Sequence, residues 1–360
     1  MKIGIDASRA FIKKRTGIEE YSYQVIKHLR DKLDGHQVVL YLRKKQVVDF
    51  EIPKNWKIKK IRLPKFWTQI GLSLEMILRP VDALFIPAHT VPLIHPKETI
   101  VAIHGLEYEV MPEAYSRWER FYMRWSIKHS CYAAQTIISV SKNTKYDLGR
   151  LYKVSDEKIQ VVYEGFEREQ KTKENPEEYS NFKPYLLFIG RLEERKNIVG
   201  IIKTFEMLKE KYNISHKLLL AGKRGHGFLN IDLKIKTSKY KKDIIRLGFV
   251  RDEDKFNLIS QADVFMFPTF YEGFGIPALE AQSVGVPVVT SNLSSMPEVV
   301  GNSAILVDPR EPEYIAQRTY ELLYNKELRD DIIKKGFENV KRFSWEDCAS
   351  AIADMILIYR

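Results

Sequence analysis

The chain has 360 residues, of which 44% are hydrophobic and 29% are charged, so its composition is that of a soluble globular protein. This length exceeds one ordinary domain and accommodates two. No apolar run approaches the roughly 20 residues that a membrane-spanning helix requires. The opening MKIGIDASRA lacks the apolar core of a signal peptide, so we expect a cytoplasmic protein. Cys131 and Cys348 lie far apart, which argues against a disulfide framework and a structural zinc site.

The formal net charge of +11 is compatible with three kinds of anionic partner. Nucleic acid would require a recognisable module or a basic stripe with interleaved aromatic residues, and we identify no such module. An anionic membrane surface would attract basic, aromatic-rich helices. An anionic small substrate such as a nucleotide would require local positive charge at its site. The last two interpretations are compatible with each other.

Short β-branched runs alternate with longer stretches of helical periodicity through the first half of the chain. In chain order, these strand-like and helix-like stretches are 2–6, 17–33, 83–87, 99–104, 118–134 and 136–141. Such alternation is typical of a doubly wound α/β architecture.

A polar, charged segment at 166–184 interrupts the alternation, and we interpret it as a linker with its flanks. Strand-like runs resume at 185–190, 217–222, 244–250, 262–268 and 286–291. We therefore predict two α/β domains, 1–167 and 184–343, joined by a linker at 168–183. The helical tail at 344–360 could belong to either half.

Ligands of open α/β sheets bind beyond the carboxyl ends of the strands, so the residues after each strand are candidates for a site. Gly17 lies where the first loop enters a helix, and it either lets an anion approach the backbone or is a simple N-cap glycine. His104 ends a predicted strand and can bind a hydroxyl or carry a proton, although a lone histidine is often structural.

Arg191 and Lys196 lie between a predicted strand and the next helix. Two cations there oppose the helix dipole unless an anion lies between, so we predict a diphosphate site, against the alternative of a solvated charge run. The glycine-rich segment 222–227 lacks the spacing of a dinucleotide fingerprint and is interpreted as a flexible surface loop. Acidic residues at 252–254 stand at a helix start, where acids are simply stabilising, so we predict no metal site.

The stretch FYEGFGIPALEAQSVGVPVV at 270–289 places Glu272 in a loop and Glu280 in the first turn of a predicted helix. The amides of Phe274 and Gly275 can face a phosphate at the positive end of that helix. Two carboxylates can accept hydrogen bonds from the hydroxyls of a ribose and of a transferred sugar. Helix capping would explain Glu280 alone, but not Glu272 together with the glycines.

The motifs YEGFGIPALEAQSVGVPVVTS, FIGRLEERKN and VSKNTKYDL resemble those of the retaining glycosyltransferases of family 4. The resemblance extends over essentially the whole chain, and its most specific element is the pair of glutamates around F-G-x-P. It implies the GT-B fold, which has two facing Rossmann-like domains with an interdomain cleft. It also implies that the C-terminal helix at 344–360 crosses back onto the N-terminal, acceptor-side domain.

The resemblance implies roles on the donor side. Glu280 would bind the ribose of the nucleotide, and the backbone at Val250 would contact the base. Glu272 would hold the donor sugar, together with the amides around Phe274 and Gly275.

The resemblance also implies that Arg191 and Lys196 grip the diphosphate and offset the charge of the leaving group. Gly17 would lie close to the phosphates, His104 near the donor sugar, and Ser141 on the acceptor side. The chain departs from many relatives in having Gly105 after the histidine and in lacking a second glycine beside Gly17. The latter variant is similar to the mannosyltransferase-like branch.

We therefore expect a retaining hexosyltransferase that moves a sugar from a nucleotide diphosphate to an acceptor hydroxyl in polysaccharide or surface-glycan assembly. Mannose from GDP-mannose is the favoured donor, and a UDP-sugar is the alternative. Family behaviour implies that neither a metal ion nor another cofactor is needed. Two other functions remain open, a non-catalytic nucleotide-sugar-binding protein and a sugar-nucleotide epimerase, and a product assay would separate them.

The segments 65–79 and 117–129 combine basic residues with aromatic ones. They predict either a membrane-facing N-terminal domain suited to a lipid-linked acceptor, or ordinary packing helices with exposed lysines and arginines. The expected partners are thus a nucleotide-sugar donor, a glycan or lipid-linked acceptor and, through peripheral contact, the inner face of the membrane. Nucleic acid is not an expected partner.

Overall fold

The structure is a computed structural model that describes residues 1–13, 15–167 and 179–358. These residues group into two units. Unit 1 comprises Met1–Glu109, Tyr115–Gly165 and the described part of Phe343–Arg360, and unit 2 comprises Val110–Ala114 and the described part of Phe166–Arg342.

The predicted linker lies only partly within the described residues. Residues 168–178 of the predicted segment 168–183 fall outside them. The remainder includes one short 3-10 turn at Ser180–Phe182, directly before the first strand of unit 2.

A parallel β-sheet of seven strands forms the centre of unit 1. Its strands are β1 (Lys2–Asp6), β2 (Gln37–Arg43), β3 (Trp56–Ile61), β4 (Ala83–Ile86), β5 (Glu98–Ile103), β6 (Thr136–Ser139) and β7 (Ile159–Val161). They lie in the order β3-β2-β1-β4-β5-β6-β7, and each neighbouring pair is parallel. The four residues of β4 are all buried, as expected for a strand covered on both faces.

The helices that follow these strands are α1 (Gly17–Leu29), α2 (Ser73–Leu78), α3 (Glu107–Val110), α4 (Arg117–Ala133) and α5 (Lys142–Tyr152). A π-helical segment at Trp67–Leu72 runs directly into α2. Helix α4 begins with a capping box, because Ser116 accepts from the amide of Glu119 and the Glu119 carboxylate accepts from the amide of Ser116.

A second parallel sheet forms the centre of unit 2. Its strands are β8 (Tyr185–Ile189), β9 (Lys217–Ala221), β10 (Ile244–Gly248), β11 (Val264–Phe267), β12 (Val288–Ser291) and β13 (Ile305–Val307). Their order is β10-β9-β8-β11-β12-β13, so the order reverses between β8 and β11. The predicted doubly wound α/β fold is confirmed, with one Rossmann-like sheet in each unit.

The helices of the second half are α6 (Ile198–Tyr212), α7 (Phe228–Thr237), α8 (Asp252–Ser260), α9 (Ile276–Ser283), α10 (Met296–Val300), α11 (Pro312–Tyr324), α12 (Lys326–Val340) and α13 (Trp345–Leu357). The last of these, α13, groups with unit 1 and packs against α1. A methyl group added at Gly165 would lie 2.3 Å from the backbone nitrogen of Trp345, so the chain before the linker and the start of α13 are in close contact.

Candidate active site

In unit 2, the loops after β8 and β11 flank the point where the strand order reverses. Lys196 follows β8 and Glu272 follows β11, and the Lys196 ammonium donates to Glu272 Oε1 at 2.5 Å. Both residues are buried, with 8% and 6% of their surface exposed. The point where the strand order reverses, the switch point, is where open α/β sheets bind ligands. The buried ion pair therefore lies where a ligand is expected.

Buried polar contacts hold the two loops in place. Asn197 adopts a left-handed conformation, and its amide donates to the carbonyls of Pro268 and Pro309 at 3.0 and 2.7 Å. On the other side, Ser294 Oγ accepts from the amide of Glu272 at 3.1 Å and donates to its carbonyl oxygen. Both backbone groups of Glu272, its amide and its carbonyl, are therefore held by Ser294 without a ligand.

Helix α9 begins after Gly275, whose φ of +113° strongly favours glycine. A Cβ at that position would lie 2.6 Å from the sulfur of Met296, so this loop also needs the absence of a side chain. Glu280 is the fifth residue of α9, so the prediction that it lies in the first turn is wrong. Its carboxylate accepts from Lys255 Nζ at 2.6 Å.

Burial and charge act in opposite directions on the Lys196–Glu272 pair. Burial alone raises the pKa of the Glu272 carboxyl, but the charges of Lys196 and Arg195 outweigh it and hold that pKa below its ordinary value. Burial lowers the pKa of the Lys196 ammonium, and Glu272 offsets this only in part. The site thus holds a carboxylate in its ionised form where water has little access.

Arg191 and Lys196, predicted to act together, lie on the same loop but differ in exposure. Lys196 is buried, whereas the Arg191 side chain is 60% exposed and lies 3.9 Å from Glu193 Oε2. The sequence analysis missed Arg195, whose guanidinium lies 3.5 Å from Glu272 Oε1. It also missed Lys255; its position four residues into a helix gave no sign that it faces Glu280.

The glycine-rich segment 222–227 packs against the loop that carries Arg191. The amide of Leu192 donates to the carbonyl of Lys223, and the amide of Gly225 donates to the carbonyl of Leu192. A Cβ at Gly222 would lie 1.8 Å from the carbonyl oxygen of Gly190. These glycines therefore serve close backbone packing. Val250 follows β10 by two residues and is half-buried.

In unit 1, His104 follows β5 and is buried. Its Nδ1 lies 3.1 Å from Glu164 Oε1, and its Nε2 lies 2.8 Å from the carbonyl oxygen of Pro87. A carbonyl can only accept, so Nε2 carries a proton and both ring nitrogens already have partners. Glu164 was missed because it follows β7, a three-residue strand that the sequence analysis did not identify.

Gly17 and Ser141, the two other predicted residues of unit 1, both stand at helix starts. Gly17 is the first residue of α1, and nothing lies within 4 Å of a Cβ added there. Ser141 is the buried N-cap of α5, and its hydroxyl accepts from the amide of Thr144 and donates to Thr144 Oγ1, both at 3.0 Å. In this structure Ser141 therefore caps a helix, and its acceptor-side role stays a prediction.

Comparisons with known proteins place the chain in a family. The model for Glycosyltransferase Family 4 matches residues 15–170, and that for Glycosyl transferases group 1 matches residues 169–339. O-antigen chain mannosyltransferase B of Escherichia coli is 30% identical over 261 residues, covering 71% of this chain and 68% of that protein. The chain belongs to the family 4 glycosyltransferases. It is therefore a sugar-transferring enzyme.

Other similar proteins agree with this assignment. O-antigen chain mannosyltransferase RfbU of Salmonella typhimurium is 23% identical over 363 residues, covering 96% of both chains. WaaG, a glycosyltransferase involved in lipopolysaccharide biosynthesis, superimposes with a TM-score of 0.73 at 14% identity, over 99% of this chain and all of that one. Anabaena HepE in complex with UDP and glucose gives 0.73 at 16% identity, over 98% of each chain. These structural likenesses establish the fold.

Two further findings concern the described residues only. None of their helices is long and apolar enough to cross a membrane. No three or more of their His, Cys, Asp and Glu side chains are grouped so as to hold a metal ion. Metal independence and the roles of the individual site residues stay predictions.

Proposed function

We propose that this glycosyltransferase moves mannose from GDP-mannose to a hydroxyl of a glycan or lipid-linked acceptor, with retention at the anomeric carbon. The reaction would serve the assembly of a polysaccharide or surface glycan. Relatives named as O-antigen mannosyltransferases support both the sugar and this context. A UDP-sugar is the alternative donor, since the HepE structure contains UDP and glucose.

The buried Lys196–Glu272 pair at the switch point of unit 2 is the observation that carries this proposal. Donor binding would break the ion pair. Lys196 would then bind a phosphate of the donor, and Glu272 would accept from the hydroxyls of the sugar. Arg191, exposed on the same loop, would close over the diphosphate. The Glu280 carboxylate would release Lys255 and accept from the hydroxyls of the ribose, since a carboxylate is a strong acceptor for sugar hydroxyls.

Catalysis would be mainly electrostatic. As the bond from the anomeric carbon to phosphate breaks, negative charge develops on the departing diphosphate, where Lys196, Arg191 and the start of α9 stabilise it. The acceptor oxygen would bond to the anomeric carbon on the same face, and the leaving phosphate would take the acceptor proton. These cations would act in place of a metal ion. Glu272 would hold the sugar without becoming a covalent nucleophile, so Glu272→Gln should keep measurable turnover.

A donor panel tests the proposal directly. Thermal shift and donor hydrolysis are measured with GDP-mannose, UDP-glucose and other nucleotide-sugars, with and without EDTA. We expect one donor to raise the melting temperature and to be hydrolysed, unaffected by EDTA. Glu280→Ala should weaken donor binding about tenfold or more, because its hydrogen bond involves a charged group. Glu313→Ala, which removes an exposed carboxylate of unit 2, is the matched control.

The same assay separates the alternatives. A non-catalytic binding protein would show the thermal shift but leave the donor intact. An epimerase would leave an isomeric nucleotide-sugar as the product, whereas a glycosyltransferase releases the nucleoside diphosphate. A donor response that requires a divalent metal would contradict the proposed role of the cations.

An exposed aromatic face on unit 1 supports the membrane contact that we propose. Helix α4 buries Ile127 and Cys131 but leaves its other face exposed. That face carries four aromatic side chains with 42 to 73% of their surface exposed, Trp118, Phe121, Tyr122 and Trp125. Their spacing of three and four residues places them on one side of the helix. A face of this kind is unusual on a surface that meets only water.

A second exposed apolar segment lies nearby in the same unit. Its exposed side chains, in the π-helical segment, in the residue before it and in α2, include Phe66, Ile70, Leu74, Ile77 and Leu78. The loop 91–94 joins this segment to α4. The amide of Ile94 donates to Ser73 Oγ in α2, and the amide of Val91 donates to Ser130 Oγ in α4. The same loop exposes Leu93 and Ile94.

We propose that this surface rests on an anionic lipid bilayer, the inner face of the membrane in a cell. Exposed cations in and beside these segments support an anionic occupant, namely Arg62, Lys65, Arg79, Arg117 and Lys128. Each basic residue near an anionic membrane contributes roughly 1 kcal/mol to binding, and aromatic side chains favour the headgroup region. A lipid-linked acceptor would then meet the enzyme at the membrane surface.

Vesicle flotation tests this contact. The wild type should float with phosphatidylglycerol-containing vesicles, less with pure phosphatidylcholine, and less as salt increases. Trp118→Ser with Phe121→Ser should abolish flotation while leaving donor hydrolysis unchanged. Leu229→Ser, an exposed apolar residue of unit 2, is the control and should float like the wild type. Flotation of the double variant equal to that of the wild type would contradict the assignment of this surface.

A further inference from the structure

Arg195 connects the loop after β8 to the loop after β11 through contacts that do not involve Lys196. Its backbone carbonyl accepts from the amide of Phe270 at 3.0 Å. Its Nη1 donates to the carbonyl of Tyr271 at 2.6 Å, and its Nη2 donates to Glu193 Oε1 at 2.9 Å. The guanidinium is thereby held 3.5 Å from Glu272 Oε1, with only 20% of the side chain exposed.

The proposed function, on which this inference rests, requires Lys196 to serve two anions. In the structure it donates to Glu272, whereas during the reaction it would hold the diphosphate. A carboxylate that loses its partner inside a protein is strongly destabilised as an anion and tends to take up a proton. A protonated Glu272 could donate to the sugar but would lose the charge that makes it a strong acceptor.

We propose that Arg195 is a positioning residue that keeps Glu272 anionic and in place while Lys196 is engaged by the diphosphate of the donor. Arginine suits this role because its guanidinium stays charged when partly buried, whereas a buried lysine loses its proton more readily. Its anchoring to Glu193 and Tyr271 means that it need not move when the donor binds. The two adjacent cations therefore have different roles. Lys196 binds the phosphate, and Arg195 stabilises the charge of Glu272.

Few charged groups face Glu272, so the effect of each one on the pKa of its carboxyl can be measured separately. Lys196 and Arg195 both lower the pKa of its carboxyl, against the effect of burial. Glu193, which pairs with Arg195, is the nearby acid. Removing Arg195 should therefore raise the pKa of Glu272, most of all when Lys196 is occupied by the donor.

The pH dependence of turnover tests the proposal. In Arg195→Met, the acidic limb of kcat should move to higher pH, so that activity near pH 6 falls about tenfold relative to the same variant near pH 8. The donor KM should change less than about threefold, since the proposal has Arg195 contact Glu272 and not the donor. Arg195→Lys should restore the wild-type profile only in part, because lysine keeps the charge but not the anchoring to both Glu193 and Tyr271. Arg310→Met, which removes an exposed cation of the same unit, is the control.

Two outcomes of this experiment would overturn the proposal. One is an acidic limb in Arg195→Met that superimposes on that of the wild type. The other is an equal loss of activity at every pH without rescue by lysine, which would indicate a purely structural role.

A second measurement does not depend on the donor and so separates this inference from the proposed function. The protonation of Glu272 is followed by carbon-13 NMR of labelled carboxyl groups, with its signal assigned through Glu272→Gln. In Lys196→Met, which mimics the withdrawal of the ammonium, Glu272 should remain ionised at neutral pH. Protonation of Glu272 in this single variant would overturn the proposal even if the enzyme uses a different donor. In Lys196→Met with Arg195→Met, the carboxyl should be protonated.

Discussion

Glu272 carries a negative charge inside unit 2 only because cations face it. The pKa of its carboxyl is held below its ordinary value by Lys196 and Arg195, against the opposing effect of burial. A carboxyl with a lowered pKa in the folded state stabilises the protein above the pKa of the unfolded chain. That contribution is lost as the pH falls through the folded-state pKa.

The lowered pKa of the Glu272 carboxyl predicts how the stability of Glu272→Gln depends on pH. The variant leaves the Lys196 ammonium buried without its carboxylate, so at neutral pH it should unfold about 3 kcal/mol more easily than the wild type. The difference should shrink as the pH falls through the lowered pKa of the folded-state carboxyl, where the wild-type Glu272 is also neutralised. Urea unfolding across this pH range measures it. A difference that stays constant with pH would contradict the ionic account of the pair.

The Glu164 carboxylate should act on His104 through the orientation of its ring. Glu164→Gln can still hydrogen-bond to Nδ1, whereas Glu164→Ala leaves that nitrogen without its partner. We expect kcat to fall about tenfold or more in the alanine variant and less in the glutamine variant. Equal kinetics in all three proteins would contradict a functional role for this pair.

The sequence identified several residues of the candidate site but not the partners that they contact. Glu272, Glu280 and Lys196 were identifiable from local patterns, because each lies in a strand-to-helix loop or the helix that follows it. Their partners were not, since Lys196 and Glu272 are 76 residues apart and Lys255 and Glu280 are 25 apart. Such contacts depend on which strands lie side by side in the sheet, and a pattern of neighbouring residues does not contain that information.

Among the elements, most of the predicted strands are buried along their length, although the half-exposed edge strand β10 was also found and the mostly buried strand β2 was missed. Strand β4 is a continuous apolar run and was found, whereas β3 alternates lysines with apolar residues at the edge of the sheet and was missed. Strands β7 and β13 have three residues each, too short to show any periodicity. The missed strands include β7, which precedes Glu164. Because this strand was missed, Glu164 was not recognised as a residue that follows a strand.

The packing of α13 on unit 1 can be tested at Gly165. A methyl group there would clash with the backbone and side chain of Trp345, and neither can move without shifting the start of the helix. Gly165→Ala should therefore destabilise the protein by about 1–3 kcal/mol, the usual cost of overpacking. Gly17→Ala is the matched control, because nothing lies near its Cβ. Urea unfolding monitored by tryptophan fluorescence would measure both, and a wild-type stability for Gly165→Ala would contradict the contact.

At the scale of the whole molecule, the two units carry different parts of the proposed function. Unit 2 holds the ion pairs assigned to the donor, and unit 1 holds His104 and the exposed aromatic face of α4. The periodicity of the sequence predicted two α/β halves and left open which of them the tail belonged to, whereas the family resemblance implied the first. Its grouping with unit 1 depends on a contact between residues far apart in the chain, as do the pairings within the site.

The central claim is that Lys196 stabilises the diphosphate as it leaves. The most direct measurement is the rate of sugar transfer from GDP-mannose to a glycan acceptor, in EDTA, for the wild type and Lys196→Ala. The account predicts transfer by the wild type and a loss of about 10²–10³ in kcat for the variant, as for removal of one preorganised electrostatic group. A variant that keeps the wild-type kcat would contradict the claim, because the charge on the leaving group would then be stabilised by other means.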